Sequence, residues 1–411
     1  MRQSKLFAKT LREAPADEVS TNASLLIRAG FIDKVMAGVY SYLPLGLKVL
    51  EKVKEIVRQE MDKLGAQEIL MPALHPKDNY LKTERWDKID VLFKLDGASG
   101  SQYALGSTHE EIVTPLAKKF VSSYKDLPLS VYQIQDKFRN EPRAKSGLLR
   151  GREFSMKDLY SFHKDQEDLD NFYNKSKAAY LEVFKRCGLK AILVEASGGV
   201  FSKYSHEFQV ATENGEDTVV VCSSCDFAQN REICELADND MCPNCDSQVK
   251  VIKAIEVGNI FKLKDRFTKA FDFEYTDEEG RRQPVLMGCY GIGPSRVLGS
   301  VVEVHHDDKG IIWPKELTPF KAHLIILDES KKDEADKLYD QLTATGWQIL
   351  YDDRQESAGV KLNDADLLGL TVQLIIGSKT NKSVEFKLRA TGEVREVKYN
   401  KVEEELKKIY N

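Results

Sequence analysis

Four cysteines in two Cys-x-x-Cys pairs, Cys222/Cys225 and Cys242/Cys245, are separated by 16 residues and commit this stretch of chain to one shape. Two pairs at that distance match the two-knuckle spacing of a structural zinc ribbon, in which four thiolates close around one metal ion. The alternative is four inert free thiols, which so regular a pattern disfavours. A closed four-sulfur site has no open coordination position, so the cluster points to architecture rather than catalysis. The remaining Cys187, Cys234 and Cys289 read as buried thiols. Seven cysteines behind an amino terminus with no apolar export stretch argue against a disulfide framework and for a cytoplasmic address.

At 411 residues the chain exceeds one ordinary hydrophobic core and predicts two or three folding units. Hydrophobic residues make up 42% and charged residues 30%, the balance of a globular protein, and no apolar run approaches the ~20 residues that span a bilayer. Lys plus Arg total 60 against 65 Asp plus Glu, so the net charge of −5 excludes indiscriminate polyanion binding and confines any nucleic-acid surface to a local patch.

Apolar residues at Leu50, Val53, Ile56, Val57, Met61 and Leu64 predict an amphipathic helix over 46–64, stopped by Gly65. Pro72 demotes 68–74 to an edge strand. A hairpin is expected from 91–95 and 102–105, and a second pair of strands from 131–141 and 150–160 around a basic loop. A helix over 166–187 and strands at 219–221, 255–261 and 285–290 follow. Pro314 and Pro319 bracket the best domain boundary, beyond which strands and helices alternate as in an α/β domain.

Two groups of residues carry chemistry. Arg139 and Glu141 end one predicted strand, and Arg150, Arg152 and Phe154 open the next; positions two apart share a strand face. Guanidinium groups beside an aromatic plane suit a nucleotide, binding phosphates bidentately and stacking on bases. Alone, an Arg-x-Glu is more often a solvated ion pair. Gly288-Cys289-Tyr290-Gly291-Ile292-Gly293-Pro294-Ser295-Arg296 is a strand that breaks into glycines and enters a helix, with Pro294 suited to the first turn and Arg296 placed to face a ligand.

Pro72 after its helix, the Phe138-Arg139-Asn140-Glu141 hairpin ending in Phe154, and the glycine-rich helix with Arg296 resemble motifs 1, 2 and 3 of class II aminoacyl-tRNA synthetases. Gly106-Ser107-Thr108-His109-Glu110-Glu111, Gly151-Arg152-Glu153-Phe154-Ser155-Met156-Lys157-Asp158 and Ser205-His206-Glu207-Phe208-Gln209 resemble the bacterial-type prolyl enzymes in particular. Tyr351-Asp352-Asp353-Arg354 and Asp364-Ala365-Asp366-Leu367 are similar to the anticodon-binding domain of that subclass.

The resemblance implies an α+β catalytic domain over 1–316, an antiparallel sheet flanked by helices, with a zinc-ribbon-like insertion at 221–247, and an α/β anticodon-binding domain with a mixed sheet over 320–411. It implies proline–tRNA ligation with ATP and Mg²⁺, structural Zn²⁺ on Cys222, Cys225, Cys242 and Cys245, and a homodimer built through motif 1. The partners would be L-proline and tRNA(Pro), with no membrane. Arg139, Glu141 and Arg296 would be catalytic; Thr108, Glu110, Arg139 and His206 would hold proline; Arg139, Glu141, Arg150, Phe154 and Arg296 would hold ATP. Arg143 and Lys145 would touch the tRNA acceptor stem. Glu207 is a weak magnesium candidate. Longer bacterial relatives carry an editing domain where the cysteine knuckles stand here, so hydrolysis of mischarged tRNA in cis is not expected. The stretch Val200-Phe201-Ser202-Lys203-Tyr204-Ser205 departs from the glycine-rich pattern of many relatives. Threonyl or histidyl synthetases and a catalytically inactive paralogue that binds tRNA or a regulatory partner are the competing readings; the first is disfavoured because the cysteines saturate their own site.

Overall fold

The computed structural model describes residues 1–16, 18–199 and 204–410. Val200 to Lys203, most of the stretch that departs from the glycine-rich pattern, lie outside the described residues. Two compact units result, one of residues 36–39 and 54–300, the other of 1–35, 40–53 and 301–411. The proline-bracketed step falls inside the second of these.

The helix expected over 46–64 is α1 (Pro44–Lys63). Pro44 takes its first turn, where a missing N–H costs nothing, and Gly65 ends it with φ of +79°. In the first unit a nine-stranded sheet holds β1 (Gln67–Glu68), β2 (Leu129–Phe138), β3 (Glu153–His163), β4 (Ala191–Ser197), β5 (Tyr204–Ala211), β6 (Asp217–Cys222), β7 (Ala228–Asn230), β8 (Val249–Lys264) and β9 (Leu286–Ile292). Pairing is antiparallel except where β1 meets β2 and β7 meets β4. β8 organises the sheet. One edge pairs with β5 and then β6 in succession, and the other pairs with β9, which passes the sheet on to β3 and β2.

Three helices of this unit matter to the site: α2 (Glu110–Ala117), α3 (Gln166–Arg186) and α4 (Pro294–Val304), the last continuing into the second unit. α3 packs on one sheet face, where Phe172 and Tyr290 rings lie 5.5 Å apart and Lys157 bonds the Tyr180 hydroxyl. Its amino end is capped by the Asp165 carboxylate, which accepts from the Asp168 N–H at 2.8 Å. The opposite face carries an apolar cluster of Tyr160, Phe162, Phe267, Phe273, Val285 and Met287 beside α2.

Three readings change. The strands expected over 131–141 and 150–160 are shifted by two or three residues, to Leu129–Phe138 and Glu153–His163, so Arg139, Glu141, Arg150 and Arg152 lie in the connection rather than on paired strand faces. The 68–74 stretch splits into β1 and a separate strand Leu74–Pro76, which joins the hairpin of Lys94–Asp96 and Gln102–Leu105 in a three-stranded sheet. Strands β4 and β5, not foreseen, flank the sheet beyond β8.

The second unit contains a five-stranded mixed sheet of β10 (Ala322–Ile326), β11 (Ile349–Asp352), β12 (Val372–Ile376), β13 (Ser383–Leu388) and β14 (Val394–Lys398), in the order β11-β10-β12-β13-β14. The first three are parallel and the last two antiparallel. Its core is Leu324, Ile326, Leu338, Tyr351, Leu374 and Phe386.

Candidate active site

Period-two alternation along β3, β8 and β9 decides which side chains meet above the sheet. Phe261, Cys289 and Tyr160 pair in one row, and Asn259, Gly291 and Asp158 in the next. Gly291 leaves the middle of that second row empty; a Cβ there would come within 3.0 Å of the Asn259 side-chain oxygen. Over this floor opens a cleft of about 430 Å³, lined by Arg139, Glu141, Phe154, Arg296, Thr108 and Glu110 among others.

At one end, the half-buried Arg139 lays its guanidinium 5.2 Å from the Phe154 ring centroid. Among the described residues no hydrogen bond or ion pair holds that guanidinium. Burial and then the Arg296 charge lower its pKa. Arg296, in the first turn of α4, is fixed: its Nε donates to the Leu149 carbonyl at 2.8 Å and Nη1 bonds the Glu256 carboxylate at 3.1 Å. An untethered cation beside a tethered one suits a negatively charged group.

At the other end, the Thr108 hydroxyl lies 2.8 and 2.7 Å from the two Glu110 carboxylate oxygens and 3.3 Å from the Tyr160 hydroxyl. Tyr160 accepts the His109 N–H at 2.8 Å, which anchors the start of α2. The Cys289 thiol donates to Glu110 at 3.2 Å, and burial followed by the Glu110 charge pushes its pKa well up. Beneath, Lys137 meets Asp158 at 2.8 Å.

Not every expected residue arrives. His206 does not line the cleft. It pairs with Ile260, whose other neighbour is Tyr290, and this row faces α3 rather than the cleft. There the imidazole bonds Tyr173 at 2.8 Å and Lys177 at 3.2 Å, and burial with the Lys177 charge lowers its pKa to about 4. Arg150 is largely exposed outside the cleft lining, 3.1 Å from Glu141 and 3.8 Å from Glu216. Arg152 bonds the Glu141 and Ala37 carbonyls. Arg143 and Lys145 are exposed in the connection, with no partner among the described residues. Glu207 has the cleft-facing parity but is held by Gln209 at 2.9 Å and Asn230 at 3.1 Å; burial and the Glu256 charge raise its pKa to about 7.

Residues 93–305 match the model of the tRNA synthetase class II core domain (G, H, P, S and T), and 319–409 match the anticodon binding domain. A proline–tRNA ligase of Wolbachia sp. subsp. Drosophila simulans is 42% identical over 97% of each chain. The chain belongs to the prolyl-tRNA synthetase family. The Bacillus licheniformis proline–tRNA ligase is 34% identical over 97% of this chain and 96% of its own. That alignment runs over 552 positions against 411 residues here, so this chain is a compact prolyl-tRNA synthetase lacking a block that the longer relative has. The solved prolyl-tRNA synthetase of Cryptosporidium parvum, complexed with halofuginone and AMPPNP, shares the fold, with a TM-score of 0.78 at 16% identity over 95% of this chain and 76% of that one.

Within this prolyl-tRNA synthetase the four knuckle sulfurs lie within 4.8 Å of one another, with Cys222–Cys245 and Cys225–Cys242 at 3.6 Å. A tetrahedron with zinc–sulfur bonds of about 2.3 Å has edges of about 3.8 Å, so the donor set fits one zinc ion with no position left over. Arg85, Glu256, Asn259 and Cys289 also line the cleft. Cys289 and Asp158 were findable by counting in twos from Gly291 and Phe154. Nothing near Arg85 or Glu256 in the sequence signals their place. No helix among the described residues is long and apolar enough to cross a membrane.

Proposed function

We propose that the cleft activates L-proline with ATP, forming prolyl-adenylate and pyrophosphate, and then transfers the prolyl group to the terminal ribose of tRNA(Pro). The observation that carries this is Arg139, a half-buried guanidinium stacked on Phe154 with no hydrogen bond or ion pair among the described residues, in the same cleft as the Thr108–Glu110 acceptor pair and the fixed Arg296.

Proline's secondary ammonium has two N–H groups to donate, and the Thr108 hydroxyl and Glu110 carboxylate accept them. Its carboxylate then points along the cleft towards Arg139. That carboxylate attacks the α-phosphorus in line with the departing pyrophosphate, and Arg139 neutralises both the attacking oxygen and the α-phosphate. Adenine lies between Phe154 and Arg296, while Glu141 engages the nucleotide. Arg150 reaches the outer phosphates only by leaving Glu141 and Glu216. Such chemistry is positioning and charge neutralisation, so no covalent nucleophile is needed. Glu256 and Glu207 are the nearby carboxylates that could hold a Mg²⁺ ion, which when bound would spread the charge of the triphosphate.

Arg143 and Lys145, unpaired and exposed, suit the acceptor stem, and the mixed-sheet unit reads the anticodon. Zn²⁺ closes the four-cysteine site. A homodimer forms through the segment after α1, where Leu70 is 77% exposed. A reducing, cytoplasmic compartment suits seven free thiols.

Proline-dependent exchange of pyrophosphate into ATP is the direct test. Arg139→Ala should lower it by about 10²-fold or more, as loss of one charge-stabilising donor does elsewhere. Exchange with a different amino acid would reject the substrate. No exchange at all would favour the inactive, tRNA-binding reading.

A further inference from the structure

Glu110 and Glu111 are consecutive at the start of α2, so their side chains leave the helix about 100° apart. Both are completely buried. Two carboxylates at a helix amino terminus gain from its dipole, but each still requires a counter-charge once water is gone. The buried counter-charge within contact is Arg85, itself only 4% exposed. It is shared unequally. Arg85 Nη1 lies 2.8 Å from Glu111 Oε1 and 3.4 Å from Glu110 Oε2.

The other neighbours do not even the balance. Thr83 donates its hydroxyl to Glu111 at 2.9 Å, and Thr108 and Cys289 donate to Glu110; all three are neutral. Lys137 is committed to Asp158. Arg266 acts on both glutamates from an exposed position, where water screens it. Burial raises the Glu111 pKa, and the Arg85 charge opposes that rise. Arg139 and Lys137 act on Glu110 only across space, without an ion pair to it; among the described residues two acids share one contacting guanidinium, and the longer contact leaves the surplus charge on Glu110, at the cleft wall.

We propose that Glu111 is a specificity-setting positioning residue: by taking the close pair with Arg85, it keeps Glu110 uncompensated until a substrate ammonium arrives. This rests on the reading that Thr108 and Glu110 receive proline's ammonium. Arg85, enclosed, has no solvent to turn to. With Glu111 neutral it closes on Glu110 and cancels the charge the substrate needs. The pocket then loses its preference for a cationic ring nitrogen while its shape is retained.

The test is Glu111→Gln, which keeps an acceptor for Thr83, assayed by pyrophosphate exchange. The KM for proline should rise about tenfold, as expected for losing a charge-assisted contact, with the KM for ATP within about twofold and kcat little changed. Tetrahydrofuran-2-carboxylate, whose ring oxygen carries no proton or charge, should inhibit wild type and variant equally. The double variant Glu111→Gln/Arg85→Met restores a single negative charge and should recover much of the wild-type KM for proline. An unchanged proline KM in a folded Glu111→Gln protein, a parallel rise in the KM for ATP, or no recovery in the double variant would overturn the proposal. Failure of the wild type to exchange with proline would instead reject the substrate assignment beneath it.

Discussion

Lys157 lies under the sheet, donating to the Tyr180 hydroxyl and, at 3.1 Å, to the Tyr290 carbonyl. Burial lowers its pKa from 10.5 to about 7. Between those values the unfolded chain holds a proton that the folded protein has given up. Stability therefore climbs with pH across that window, by at most roughly 1.4 kcal/mol per unit, and levels off below it. Lys157→Met should flatten the rise in urea midpoint from about pH 7 to about pH 10; a slope equal to wild type would mean the ammonium stays charged in the folded state. Residues of this kind are illegible in sequence, because a lysine one step from Met156 and Asp158 looks like a surface charge until the register places it under α3. His206 is the same lesson from the other direction. Its partner Ile260 is distant in the chain, and only that pairing decides which face it takes. Arg139 and Arg296 were readable because short local patterns, a strand end and a glycine break, carry them to the cleft, whereas Thr108 and Glu110 were reached only through the family resemblance.

At the scale of elements, the ribbon hairpin of β6 and β7 rests on the beginning of β8, where Cys222 pairs with Val249. Its own apolar cluster is small, with Val220, Phe227 and Val249 beside the cysteines, too little to hold a loop of this length without the metal. Metal analysis should find one zinc per chain, and Cys225→Ser should remove it and raise amide exchange over 217–222 and 228–230, read by mass spectrometry. Unaltered exchange in metal-free protein would sink the structural role. The helices Pro44–Lys63 and Gln166–Arg186 were foreseen to within about two residues because a 3.6-residue period is a long-range average that survives local noise, whereas the short Glu110–Ala117 was not foreseen. Nor were strand ends. Glu141 bonds back to the Arg139 carbonyl in a tight turn, which ends β2 before the polar residues that seemed to continue it. β4 and β5 were missed for a different reason: β5 pairs with β8, beyond the cysteine cluster, and β4 is held in turn by β5.

For the whole molecule, the alternating strands and helices after Pro319 made the mixed-sheet unit visible, but its company was not. Residues 1–35 and 40–53 fold with it, through contacts such as Gln3 to His323 at 2.8 Å, and no local signal spans that separation. Assembly has a separate test. Leu70 and Leu74 are exposed beside buried Met71, an apolar edge of the sort an interface covers. Sedimentation should give a dimer, and Leu70→Asp should shift it to monomer; a monomeric wild type would end the idea. The same region also shows how the molecule avoids joining indefinitely. Its large sheet ends at Gln67–Glu68, a margin two residues long, exposed and finished by a carboxylate. A stray extended segment would find too few rungs there to climb, so this margin offers little purchase to a neighbour's strand.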